Sequence, residues 1–201
     1  MAIGDPNPSR STGLLLVLSG PSGVGKTTIT RVVREKIKDA VFSISATTRP
    51  KTTGEAEGVD YYFLTHEQFE EKVQQNALLE HAIYAGHHYG TLLAPVEQSL
   101  AAGKLVMLDT DVQGARQVRE HRPDMLGVFI LPPSEDELLE RLRKRRREDE
   151  AAIQKRFAQA QREIAEAKQV GLYDALIVND DLDRAVAELL ALIDARRGAR
   201  V

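Results

Sequence analysis

The sequence predicts an α/β fold: a five-stranded parallel sheet with helices on both faces and a smaller lobe inserted into it. Three observations carry this. Five short, near-continuous apolar runs fall at Leu14–Ser19, 41–45, 104–109, Leu126–Leu131 and 174–179, and strands apolar on both sides are those of parallel sheets covered on both faces. Between the runs lie apolar residues at helical spacing: Ile29, Val32, Val33 and Ile37, then Ile153, Phe157, Ala160 and Ile164, then Val186, Leu189, Leu190 and Ile193. From about 45 to 98 the pattern changes to alternating, half-buried strands, the mark of a separate small lobe.

Taken in order, residues 1–13 carry Pro6, Pro8, Ser9, Ser11 and Gly13 and lack the apolar stretch of a signal peptide, so a flexible leader is expected. The first strand, Leu14-Leu-Leu-Val-Leu18 and Ser19, runs into a glycine-rich turn and a helix reaching about Lys38. Residues 41–45 read as a second short strand, followed by a polar loop with Arg49-Pro50-Lys51, Gly54 and Gly58. Tyr61-Tyr-Phe-Leu64 reads as strand, and Thr65 with Gln68 makes a capping box for a short helix with Phe69 and Val73 inward. Residues 78–84 are strand-like, Gly86-His-His-Tyr-Gly90 is expected as a turn, and Pro95 sits near the start of another helix. The run at 104–109 ends in a carboxylate, and two more buried strands and two long helices complete the chain. No internal repeat is present.

At 201 residues and 42% hydrophobic, the chain can bury one good core with inserted lobes. A net charge of −3 supplies no basic field to draw it to nucleic acid or membrane. The absence of cysteine excludes disulfides and thiolate metal sites and fits a reducing compartment, and no apolar stretch approaches the ~20 residues of a spanning helix. A cytoplasmic protein is expected. The oligomeric state, a homo-oligomer included, is left open.

Gly20-Pro21-Ser22-Gly23-Val24-Gly25-Lys26-Thr27 is G-x-x-x-x-G-K-[ST] in the context that gives the pattern meaning, strand before and helix after. Its glycines let backbone N–H groups converge on phosphate oxygens, and the helix start adds its dipole. Lys26 can reach the β- and γ-phosphates of a nucleoside triphosphate, and the Thr27 hydroxyl can sit on Mg2+. Asp109 ends a buried strand, where such loops have a carboxylate that holds the metal directly or through water. Asp111, two residues on, can face the same crevice for a different ligand.

Together with this loop, Ser45-Ala-Thr-Thr-Arg-Pro50, Gly54-Glu55 with Asp60-Tyr61, Leu79-Glu80-His-Ala82, His88-Tyr89-Gly-Thr91, Leu108-Asp-Thr-Asp-Val-Gln-Gly114, Leu131-Pro-Pro-Ser134 and Ile177-Val-Asn-Asp-Asp181 resemble guanylate kinases, in the same order. The resemblance covers roughly 14–195 and implies a P-loop NTPase core at 14–44, 99–133 and 157–201, a GMP-binding lobe at 45–98 and a mobile lid at 134–156. It implies ATP contacts from Gly20 through Thr28 and from Asn179, whose side chain could also cap the last helix. Ser45, Glu80, Thr91 and Asp111 match the positions that read guanine. A carboxylate facing guanine N1–H and N2–H2 accepts both protons, whereas adenine would turn a lone pair toward it. Arg49, Tyr61 and Tyr89 match positions gripping the GMP phosphate, a task suited to a guanidinium fork and phenolic hydroxyls. Taken singly, Glu80 reads as a solvated strand charge and the two tyrosines as ordinary packing; their order with the loop decides otherwise.

The most basic stretch, Arg141-Leu-Arg-Lys-Arg-Arg-Arg147, is interleaved with Glu137, Glu140, Glu148, Asp149 and Glu150, which does not favour a polyanion partner. By resemblance Arg141, Arg145 and Arg156 close over the transferring phosphoryl group, with Lys26 and Arg49 as the remaining catalytic cations. Two departures stand out. Where the family usually has a second phosphate-binding arginine, this chain has Thr52 beside Lys51, so Thr52→Arg is expected to lower the KM for GMP. Where the family usually has glycine after the position of Arg145, Arg146 and Arg147 follow. The implied reaction is transfer of the γ-phosphoryl of MgATP to GMP or dGMP, with no general base and with His81, His87 and His88 left to packing. The alternatives are a ribose 1,5-bisphosphate kinase of the same lineage, which would have no guanine edge for Glu80 and Asp111, and an inactive guanylate-kinase-like interaction module, which would not need Lys26 or Asp109.

Overall fold

β1 (Leu14–Ser19) is buried along its whole length. Its alternate residues feed two cores: Leu14, Leu16 and Leu18 on one side, Leu15 and Val17 on the other. Each such leucine contributes about 1.5–3 kcal/mol on leaving water, which is why this run reads as continuous apolar sequence. The computed structural model describes residues 13–144, 149–169 and 171–199. The chain continues through α1 (Lys26–Lys36), β2 (Ala40–Phe42), β3 (Ser45–Thr47), β4 (Tyr62–Phe63), α2 (His66–Gln74), β5 (Leu78–Tyr84), β6 (His87–Leu92) and α3 (Leu93–Ala101). It ends with β7 (Leu105–Asp109), α4 (Val112–His121), β8 (Leu126–Leu131), α5 (Glu135–Lys144), α6 (Glu150–Ala167), β9 (Ala175–Val178) and α7 (Leu182–Gly198).

The main sheet has the order β2-β7-β1-β8-β9, all parallel, as the sequence predicts. Val33 of α1 and Val186, Leu189 and Ile193 of α7 cover one face. Val96 and Leu100 of α3, Val112 and Val118 of α4 and Ala167 of α6 cover the other. β1 is central, and β7 lies beside it with Leu18 opposite Asp109, so the C-terminal ends of the two strands open side by side. Ligands of open parallel sheets bind at such ends.

A second sheet, β4-β3-β6-β5, is mixed. Phe69 of α2 packs under it with Ala46 and Leu78. The Thr65 hydroxyl accepts the Gln68 N–H and the Gln68 side chain accepts the Thr65 N–H, forming the expected capping box. α3, the next element, packs back on the main sheet.

Several local readings are corrected. Residues 41–45 are not one strand: β2 ends at Phe42 in the main sheet, and β3 begins at Ser45 in the second. The apolar run is a crossing between sheets, and periodicity alone does not reveal which sheet a strand joins. The expected turn at 86–90 is strand instead; the reversal is made by Ala85 and Gly86, at φ 49° and 81°, a tight hairpin. α1 ends at Lys36, two residues early, on the extended Ile37. β5 carries a bulge between Leu78 and Glu80, so that Leu78 enters the second sheet's core and Leu79 the main one.

Candidate active site

The glycine-rich loop joins β1 to α1. Gly25 precedes α1 at φ 103°, in left-handed backbone, and a Cβ there would stand 2.4 Å from Asn179 Nδ2. Gly20, at φ 148°, passes so close to β8 that its Cβ would stand 2.6 Å from the Ile130 carbonyl oxygen. α2, α4, α6 and α7 begin under a side-chain cap, from Thr65, Asp111, Asp149 and Asp181; α1 begins at Gly25 with no side-chain cap. Its positive end is therefore turned to the cleft, where Lys26, Thr27 and Thr28 form the first turn.

Lys26 Nζ donates to the Gly20 carbonyl at 2.5 Å and lies 3.7 Å from Asp109 Oδ1. With 29% of its side chain still accessible, Asp109 faces the cleft, and burial among protein atoms raises its pKa while Lys26 opposes the rise. An anion that needs a cationic partner, beside a threonine hydroxyl at the mouth of a phosphate loop, is a hard-oxygen donor set that fits magnesium. Among the described residues no cluster of three or more His, Asp and Glu side chains is arranged to hold a metal.

The loop is braced from two sides. Asn179 Nδ2 donates to the Val24 carbonyl at 2.7 Å, and Arg141 donates to the Asn179 carbonyl at 3.2 Å and to Glu137 at 3.0 Å. Asn179 does not cap α7; the Asp181 carboxylate accepts the Arg184 N–H and does so instead. Arg156, from α6, donates to the Ser22 hydroxyl in the loop. Lys26, Asp109, Asn179, Arg141 and Arg156 are thus gathered at one end of β1. Arg145, with Arg146 and Arg147, lies outside the described residues, as does the leader apart from Gly13.

A second group stands on the smaller sheet. Ser45 pairs with Thr91 across β3 and β6, and Thr91 pairs with Glu80 across β6 and β5. Glu80 is 9% exposed, and its Oε1 accepts the Thr91 hydroxyl at 2.6 Å. Burial pushes its carboxyl up, the Thr91 hydroxyl pulls it down, and the charge of Asp111 pushes it up again. Asp111 is exposed at the start of α4, its Oδ1 accepting the Gly114 N–H at 2.8 Å. Further out, Arg49 stacks over the Tyr61 ring at 5.3 Å, and Tyr61 meets Tyr89 edge-on at 6.1 Å. The structure brings these three side chains together.

Sequence reasoning missed the groups that hold these residues. Glu55 grips Arg49 with two hydrogen bonds, of 3.1 and 2.5 Å, and also accepts the Thr52 N–H at 2.8 Å. The Arg49 fork holds the Glu55 carboxyl down at about 2. The block Gly54-Glu55 was a signal, but nothing in it named the partner. Glu163, on α6, is half-buried with its carboxyl raised by burial and drawn back by Lys26. Gln117 hydrogen-bonds the backbone of His81, a contact no spacing announces.

The comparisons with known proteins follow the same lines. The guanylate kinase family model matches residues 12–196. A guanylate kinase of Synechocystis is 47% identical over 94% of this chain and 97% of its own length. One of Anaeromyxobacter dehalogenans is 49% identical over 94% of this chain and 83% of its own. The solved guanylate kinase of Anaplasma phagocytophilum superposes with a TM-score of 0.69 at 32% identity, covering 93% of this chain and 87% of that one. Shikimate kinase from Bacteroides thetaiotaomicron, at 17% identity and a TM-score of 0.50 over 90% of this chain and 98% of that one, shares the fold alone. A phosphate loop at the end of a central parallel strand, with a buried carboxylate on a second sheet, agrees with these matches, and the chain belongs to the guanylate kinase family.

Proposed function

We propose that this enzyme transfers the γ-phosphoryl group of ATP to GMP or dGMP, with the loop at 20–28 holding ATP, the lobe at 45–98 holding the acceptor, and the segment 134–156 closing over both. A phosphate oxygen of GMP forms a bond to Pγ, the bond from Pγ to the β,γ-bridging oxygen breaks, and ADP leaves with that oxygen's charge. The acceptor is already anionic at neutral pH, since the second phosphate pKa is about 6, so no general base is required. What this chain supplies is positioning and positive charge, as a loose phosphoryl transition state demands.

The observation that carries this reading is Glu80: a carboxylate 9% exposed, oriented by the Thr91 hydroxyl, on the smaller sheet against the first turn of α4. A buried anion that accepts two N–H groups of guanine is satisfied; facing adenine it is not, and the unpaired charge is costly. Arg49, Tyr61 and Tyr89 grip the acceptor phosphate. Lys26, Arg141, Arg145 and Arg156 neutralise the group in transit, and Asn179 lies along the adenine side. Thr27 and Asp109 would hold a magnesium ion, whose charge would offset that of the ATP phosphates.

The test is a coupled assay of ADP release from MgATP, with GMP, dGMP, AMP, CMP, UMP and ribose 1,5-bisphosphate offered separately. Turnover confined to GMP and dGMP is expected. Turnover with the sugar phosphate alone, or with none of them by folded protein, would overturn the assignment of the substrate.

A further inference from the structure

Glu80 and Asp111 belong to different bodies. Glu80 is on β5 of the small sheet, whereas Asp111 is the cap of α4, which packs on the main sheet. If both meet one guanine, as proposed above, something must fix their spacing. Thr91 does not, because it orients Glu80 only within the small sheet.

We infer that Gln117 is a positioning residue for guanine recognition, stapling β5 to α4 so that Glu80 and Asp111 face the same base. β5 is an edge strand of its sheet, and α4 packs against it. Gln117 Oε1 accepts the His81 N–H at 3.0 Å, and Gln117 Nε2 donates to the His81 carbonyl at 3.1 Å. The side-chain amide thus completes the pairing of one residue of an open strand edge as a neighbouring strand's peptide would. That residue is the one directly after Glu80. Gln117 stands six positions after Asp111, about 9 Å up the helix axis, so a single rigid element carries both the staple and the second carboxylate.

The first turn of α4 is shaped to the same end. A Cβ on Gly114 would stand 3.1 Å from Glu80 Oε2 and 2.0 Å from Thr110 Oγ1. Only bare backbone there lets β5 approach α4 this closely, with Glu80 Oε2 and the Thr110 hydroxyl converging over it. The staple also has something to resist. The charge of Asp111 acts against that of Glu80, a repulsion that tends to part β5 from α4 until the N–H groups of the base neutralise it.

The experiment compares Gln117→Leu, Gln117→Glu and Glu80→Gln with the parent enzyme. Its readouts are KM for GMP, KM for MgATP, the GMP-over-AMP ratio of kcat/KM, and Tm. Gln117→Leu, losing both bonds, is expected to raise the KM for GMP about tenfold and to lower the base preference, with the KM for MgATP moving less than about twofold. Gln117→Glu keeps an acceptor for the His81 N–H and loses the donor, so it should fall between the two. An unchanged KM for GMP in both variants overturns the inference. So does a rise in both Michaelis constants together alongside a lowered Tm, which marks a bond serving stability alone. Should Gln117→Leu fail to fold, Gln117→Glu decides by the same readouts. Glu80→Gln separates the two levels. If it leaves the base preference intact, the reading of Glu80 falls. If it abolishes the preference while the Gln117 variants keep the parent KM, only the staple falls.

Discussion

Glu80, the proposed base reader, is held at the expense of stability. Its folded pKa lies above the ordinary 4.5, with burial as the largest cause. A carboxyl raised in the folded state contributes stability when protonated and loses it as pH climbs through the shifted value, so at neutral pH its ionisation weakens the fold. Glu80→Gln, whose amide oxygen can still accept the Thr91 hydroxyl, should therefore raise Tm by about 2–4 °C while erasing the preference for GMP over AMP. Calorimetry and the coupled assay check the two halves. The same shift sets a pH dependence: kcat/KM for GMP should fall on acidification at a pH above that of an ordinary carboxylate, and Glu80→Gln should lose that component while keeping the one from the acceptor phosphate, near about pH 6. Gly25→Ala should behave oppositely to a stabilising change, because alanine meets both left-handed backbone and the Asn179 amide. A loss of about 1–3 kcal/mol, with ATP binding lost more completely than GMP binding, would appear in denaturant titration and calorimetric binding. The loop was legible because glycine, lysine and threonine at fixed offsets have few other uses. The partners of its members were not, since Asn179 and Arg156 reach the loop from distant segments that only the sheet order brings near.

At the scale of elements, local chemistry predicted best where a motif is self-contained. The α2 cap is such a case: Thr65 and Gln68 satisfy each other within one turn, whatever the rest of the chain does. Thr65→Ala should cost about 1 kcal/mol of stability, seen as a lowered midpoint in urea, and should leave ATP affinity untouched. The misread elements are those whose identity is decided from outside. β2 and β3 share one apolar run, and only their separate partners, β7 for one and β6 for the other, divide it. The glycines flanking His87 and His88 predict a turn there, yet the left-handed pair Ala85 and Gly86 makes the reversal with only two residues. Strands β8 and β9 were recognised as strands, but not their fastening: Asp174 accepts Arg119, Arg196 and the Gly127 N–H together, a junction assembled from three regions of sequence.

For the whole molecule, the two groups of site residues stand on two sheets, so occupation of both should be cooperative in stability. A bisubstrate ligand joining adenosine to guanosine through a polyphosphate, at a hundred times its Kd, should add about 2.7 kcal/mol and raise Tm by about 5–10 °C. A thermal shift no greater than that of the better half at the same molar concentration would mean that the sheets do not bind as one unit. The bulge in β5 has a consequence for anyone exchanging parts between such enzymes. Leu78 and Leu79 are consecutive, yet one is rooted in the small sheet and the other in the large. A lobe grafted from another scaffold with this strand straightened would slip by one residue, setting Leu79 rather than Glu80 opposite Thr91 and turning the side chains beyond to the wrong face. The lobe is therefore no cartridge: its boundary runs through a single peptide, and a successful chimera must carry the bulge and its receiving pocket together.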